Sequence, residues 1–266
     1  GEVTLSGSNT YTGGSTVQAG KLIGTTSSLQ GNIVNDATVD FDQSTDGTYA
    51  GLLSGSGAVT KDGTGTVTFS GANSYSGGTT FAAGTLSVDS ANGTGTGNWT
   101  FNGGTLNASG SFSTGQTSLL TGAGTFDVDS SETLTLSGVI SGSGALTKSG
   151  EGSLWVTGAN TNSGGTTVSA GTLIGSTASL NGDITDNATL EFNQSTDGSY
   201  SDVISGTGSL TKSGSGNVTL AGSNTYSGGS AINGGTLTVS SDGNLGTGNL
   251  SFNDGTLGVS SSFSTG

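Results

Sequence analysis

The sequence predicts an all-β chain wound into a parallel β-solenoid. Three observations carry that prediction. Apolar residues recur with period two in short runs, small turn-forming residues punctuate those runs, and an internal repeat varies its spacing by about one coil. Gly, Ser and Thr number 53, 45 and 45 of the 266 residues, and Pro, Cys, Met and His are absent.

The strands come first. Val3 and Leu5 alternate with polar residues over 2–6, Val39 and Phe41 over 38–42, and Val67 and Phe69 over 65–69. The same alternation runs through Trp99 and Phe101 at 98–101, Leu134 and Leu136 at 132–136, and Val218 and Leu220 at 217–220. Period two places one set of side chains on one face of a strand. Thr, Val and Phe suit a pleated, half-buried surface. Gly, Asn, Asp and Ser between the runs supply turn chemistry. No window keeps a helical period, and the abundant Gly opposes helix. An arranged apolar pattern of this kind separates the chain from a flexible Gly/Ser linker.

The repeat comes next. Shifted by 151 positions, residues 1–115 align with 152–266 without a gap, and 62 of the 115 pairs are identical. The chain reads as a single solenoid, 1–266, with a first copy at 1–151 and a partial second copy at 152–266. It starts and stops inside the unit, so a longer natural protein with more copies is expected. A shorter motif begins at Gly7, Gly71, Gly158 and Gly222, at spacings of 64, 87 and 64 positions. If each spacing is a whole number of layers, the short one makes three, the long one four and the full unit seven. Each layer then holds roughly 21–22 residues. The difference between the two spacings is one added coil, which a stack accepts without disturbing its neighbours. Roughly 12 coils at ~4.8 Å each give a rod about 60 Å long.

The core of such a rod is a column of stacked apolar side chains, and Leu86, Leu106, Leu173 and Leu237 are expected in it. Asn9, Asn73, Asn160 and Asn224 are expected at corners, where Asn tolerates positive backbone angles and Asn side chains can pair between layers. The glycine pairs Gly77-Gly78, Gly164-Gly165 and Gly228-Gly229 belong to the same structural motif, since Gly enters the left-handed region freely. The absence of Pro fits a sheet-dominated chain.

The run from Ser56 to Thr80, closed by Ala83-Gly84-Thr85-Leu86, resembles the passenger-associated, or autotransporter-associated, β-strand repeat. That pattern is a Gly-rich lead, Leu-Thr-Lys, Gly-x-Gly, a strand, Gly-x-Asn-x-Tyr-x-Gly-Gly-Thr, then Ala-Gly-Thr-Leu. It recurs at 143–173 and 207–237, and its tail end opens the chain at 1–22. Asn162 replaces the motif Tyr, Lys21-Leu22 replaces Thr-Leu, and Asn233-Gly234-Gly235 replaces Ala-x-Gly. The resemblance implies a right-handed β-helical passenger of a type V secreted, outer-membrane-anchored bacterial surface protein. It further implies adhesion, aggregation or biofilm roles and a C-terminal barrel elsewhere in the full protein.

Composition removes several functions. There is no thiol chemistry, and the usual general base and metal ligand, His, is missing. A net charge of −14 with four Lys and no Arg does not neutralise a nucleic-acid backbone or attract anionic lipid. No stretch approaches the ~20 apolar residues of a membrane helix, so no membrane insertion is expected of this segment. Residues 1–4 lack a signal peptide's basic and apolar regions. Asp40, Asp42 and Asp46, with Glu191 and Asp197 in the second copy, are calcium candidates by residue type. Their spacing matches neither the EF-hand nor the calcium β-roll, and an acidic solvated outer face is the expectation, with no cofactor. Acids that drift between copies argue for a scaffold and against a carboxylate enzyme.

Lys61, Lys148 and Lys212 share a motif slot and are expected to line one side or pair with nearby Asp at the surface. Tyr11, Tyr75 and Tyr226, with Trp99 and Trp155, either stack on sugars or pack under corners, and packing is favoured for Tyr. Threonine runs such as 64–68 are expected out of register between coils, which argues against an ice-binding array. The reading is a non-enzymatic, extracellular stalk or adhesion scaffold whose partner is a second copy or a surface glycan. The alternative is a self-assembling fibre subunit stacking end to end.

Overall fold

The computed structural model describes residues 1–261, so the match of Ser262–Gly266 to Ser111–Gly115 lies outside the described residues. Alternating runs form strands of no more than a few residues, and Gly-rich turns between them fold each coil into three faces. All strand pairs are parallel, and strands lie against those one coil before and one coil after. A parallel ladder of this kind satisfies each coil's backbone with its neighbours'.

The first face is an eight-stranded sheet from Glu2–Thr4 to Ile140–Gly142, and it resumes as four strands from Gly198–Tyr200 to Thr256–Val259. The second is a nine-stranded sheet from Gly47–Tyr49 to Ile204–Ser205. The third holds three strands, Ser15–Val17, Ile33–Asn35 and Leu53–Ser54, and resumes as eight from Phe112–Thr114 to Leu250–Phe252. The stack crosses the junction of the two copies without a break: Leu146–Ser149 pairs with Thr166–Val168 on the second face. Two single 3₁₀ turns, Ala91–Thr94 and Asp242–Asn244, take the place of a strand on the third and second faces, against Asn73 and Asn224. Among the described residues no helix is long and apolar enough to cross a membrane.

The solenoid makes about 13 turns, against the roughly 12 expected. The reason is the coil length. Lys21 pairs with Thr38 in a short coil and Ser118 with Ile140 in a long one, while most coils match the step from Val59 to Thr79. The motif spacings are therefore not whole coils. Asn9 stands at the second face, Asn73 at the third, Asn160 at the first and Asn224 at the second again. The short spacing spans about three and one-third turns and the long one about four and one-third. The difference is one whole coil, as expected, but each motif is turned by one face from the last.

The interior is a continuous apolar column. Leu86, Leu106, Leu173 and Leu237 are all fully buried in it, as the alternation predicts. Val67, Leu86, Leu106 and Phe126 stack on consecutive coils. Phe41, Tyr49 and Phe69 form an edge-to-face trio with centroids 5.0 to 6.0 Å apart. Phe81, Phe101 and Phe126 form a second file beside Trp99.

Candidate functional site

The corner motif is built from Asn, Tyr and Gly, each for its own reason. Asn73 accepts the Leu53 N–H on Oδ1 at 2.9 Å and donates from Nδ2 to the Gly93 carbonyl at 2.7 Å. Asn160 bridges Ile140 and Ser179 in the same way, and Asn224 bridges Ile204 and Asn244. Asn9 donates to the Ser28 carbonyl at 2.8 Å. The side-chain amide thus copies a backbone amide where the strand is interrupted, and it keeps the ladder satisfied. These asparagines neither pair with one another nor need positive φ, contrary to expectation: Ser131 is the one non-Gly residue with positive φ among the described residues.

The two glycines differ. Gly78, Gly165 and Gly229 lie at φ of 92°, 78° and 90°, where Gly alone is unstrained. Gly77, Gly164 and Gly228 lie against the backbone of Gly57, Gly144 and Gly208, and a Cβ on Gly77 would stand 2.5 Å from the Gly57 carbonyl carbon.

Tyr75 and Tyr226 are fully buried, as the corner-packing reading expects, with hydroxyls bonded to Thr79 at 2.7 Å and Ser230 at 2.6 Å. Trp99 is buried with its indole N–H on Thr94, whereas Trp155 lies on the outer face of the third sheet, 37% exposed.

The motif lysines overturn the surface expectation. Lys61, Lys148 and Lys212 are fully buried. Each ammonium donates to three carbonyls, two in its own turn and one in the next coil. For Lys148 these are Ser149 at 2.6 Å, Gly150 at 2.7 Å and Ala170 at 3.1 Å. Lys61 reaches Asp62, Gly63 and Ala83, and Lys212 reaches Ser213, Gly214 and Gly234. Three donors meet three acceptors, so a buried charge is fully hydrogen-bonded. Burial pushes the Lys148 ammonium down to about 8. The three do not line one side, because they occupy strands of the first, second and third faces. The signal was present: Val59-x-Lys61, Leu146-x-Lys148 and Leu210-x-Lys212 share parity, so period two aims each lysine inward.

The calcium candidates do not converge. Asp40 is outward but covered: Lys21 Nζ sits 2.5 Å from its Oδ2. Burial holds its carboxyl above the usual carboxylate range, and the Lys21 hydrogen bond opposes that rise. The solvated acidic face therefore fails at Asp40 and holds at Asp42, Asp46 and Asp197, which are exposed. Asp46 and Asp197 accept the Thr66 and Asn217 N–H groups at 2.7 and 2.8 Å. Glu191 bonds Ser213 Oγ and Asn193. Among the described residues no three acids gather in a cation-sized group.

Sequence reading missed Asp186. It is fully buried, its Oδ1 accepts the Ala188 N–H at 3.0 Å, and its Oδ2 has no partner. Burial pushes its carboxyl up to about 6. The counterpart in the first copy is Asn35, whose Nδ2 donates to the Ala58 carbonyl at 2.8 Å.

The outside of the described coils carries in-register hydroxyl rows, a shorter one on the third face through Thr133, Ser153, Thr172, Thr189 and Ser209 and a longer one on the second. Thr66, Thr85, Thr105, Thr125, Thr147, Thr167, Thr185 and Ser205 are direct neighbours on successive coils of the second face. The expectation that threonines fall out of register fails here, because the parallel ladder of this sheet keeps the same outward slot aligned from coil to coil. The next outward row is mixed: Thr68, Ser87, Asn107, Asp127 and Ser149, joined in part by their own hydrogen bonds. The result is a single file of hydroxyls about 4.8 Å apart, not a two-row lattice.

Four segments match the model of the passenger-associated-transport-repeat: residues 1–23, 59–88, 146–174 and 210–239. Each holds a strand pair of the corner motif's flanks, and the last three begin just before the buried lysines. No curated protein and no solved structure matches the chain.

Proposed function

The chain carries the passenger-associated-transport-repeat four times over, and from that premise we propose that it is a non-enzymatic passenger segment displayed outside a bacterial cell. It acts there as a stalk or adhesion scaffold. One observation supports this above the others: the three-faced stack runs unbroken through the junction of the two copies. A rod that lengthens by adding coils, with most of its apolar side chains turned inward, supplies reach. The row of hydroxyls from Thr66 to Ser205 supplies a neutral face for a surface glycan. Calcium has no place in this reading.

Electron microscopy of the purified chain at several concentrations, with and without a calcium chelator, tests it. Separate rods of about 60 Å, unchanged by chelation, are expected, and binding to a glycan or cell-surface panel should follow. Concentration-dependent filaments with a coil-spacing repeat would replace the stalk by a self-assembling fibre.

A further inference from the structure

The motif tyrosine does one job that its replacement leaves undone. In the first copy the Tyr11 hydroxyl accepts the Gln30 N–H at 3.0 Å and shares a hydrogen bond with Ser15 Oγ at 3.2 Å. In the second copy these three positions are Asn162, Asn181 and Thr166. Asn162 is 2% exposed, and its Nδ2 has no hydrogen-bond partner. The Asn181 N–H and the Thr166 hydroxyl, which inherit the roles of Gln30 and Ser15, also make no hydrogen bond among the described residues. The shorter side chain leaves a cavity of about 10 Å³ that all three residues line, with Leu146, Leu173 and Leu180 as its apolar wall.

A cavity of this size holds about one water, and buried waters commonly make about three hydrogen bonds. The chemistry matches atom for atom. Asn162 Nδ2–H and Asn181 N–H are two donors for the two lone pairs of a water, and Thr166 Oγ1 accepts one of its protons. An apolar cavity would stay dry, but three unpaired polar groups around one make hydration favourable. We propose that this coil binds a single ordered water, which takes the place that the tyrosine hydroxyl holds in the first copy.

The whole chain serves for the test, with a high-resolution crystal structure and thermal melts of two variants. A density peak within hydrogen-bond distance of Asn162 Nδ2, Asn181 N and Thr166 Oγ1 is expected. Asn162→Tyr should fill the cavity with its ring and hydroxyl, remove the peak and raise Tm by about 2–4 °C. Asn162→Leu should evict the water, leave Asn181 N–H and the Thr166 hydroxyl unpaired, and lower Tm. A dry cavity in the crystal would overturn the proposal. So would an Asn162→Leu chain more stable than the native one, which is the behaviour of an orphaned amide with no water to satisfy it.

Discussion

The two copies of the long repeat trace the same path with different chemistry inside. In the first copy Asn35 gives its amide to the next coil, Phe41, Tyr49 and Phe69 pack edge to face, and Lys21 closes over Asp40. In the second, Asp186 stands with one oxygen unpartnered, Leu220 replaces the third ring, and Thr172 and Glu191 replace the ion pair. Both copies keep the clamping asparagines, the caged lysines and the close-packed glycines, while two other contacts to a neighbouring coil's backbone, those of Tyr11 and Asn35, are lost at Asn162 and Asp186. The difference teaches that the ladder specifies this fold. Other interior side chains vary between the copies, in size from Tyr11 to Asn162 and from Phe69 to Leu220, and in charge from Asn35 to Asp186.

Three pairs of changes break or sharpen that comparison, in falling order of effect. Leu86→Asp buries an unpaired carboxylate between Val67 and Leu106, and should cost more than about 4 kcal/mol and unfold adjacent coils. Leu237→Asp should cost less, since Leu257 on its far side is only partly buried. Chemical denaturation followed by circular dichroism reads both, and a native melt in either would overturn the register.

Exchanging Asn35 and Asp186 comes second. The folded Asp186 carboxyl titrates near 6, against 3.8 for the free group. Its raised folded value means that the protonated form is favoured in the rod. The stability this contributes is fully present below 3.8 and is lost as pH rises through about 6. Asp186→Asn should therefore stabilise by about 3 kcal/mol at pH 7 and by little at pH 4. Asn35→Asp should transfer that pH dependence to the first copy. Melts across pH 4 to 8 decide the matter, and a flat difference would remove Asp186 as its source.

The smallest effect belongs to the tyrosines. Tyr226→Phe removes the hydroxyl bonded to buried Ser230 and should cost about 1 kcal/mol, with a smaller loss for Tyr11→Phe, whose residue is only half-buried. Equal losses would show that burial does not set the value of this bond.

Much of this architecture was legible. Period two places Leu86, Leu106, Leu173 and Leu237 inside because alternation is a direct image of the pleat. The same rule also aimed Lys61, Lys148 and Lys212 inward, yet their charge suggested the surface. Only the carbonyls of two adjacent turns, invisible in one dimension, explain why an ammonium is stable there. The asparagines were legible as corner residues but not as clamps, because their partners lie a full coil away on either side. Coil length was misjudged by the assumption that a repeat must close on whole turns. Nothing in the sequence distinguishes Asp186 from its exposed neighbours except parity with Ile184, a single position in a short strand.

The third-of-a-turn step between motifs also governs how the rod bends. Each corner motif interrupts a strand and is a local irregularity in stiffness. If every copy fell on one side, these irregularities would add into a steady curve. Because consecutive copies fall on successive faces, their deflections point a third of a circle apart and cancel over three motifs. The extra coil in the longer spacing is a complete turn and leaves that cancellation intact. The arrangement acts as a screw thread: it carries the motif to every side of the rod in turn.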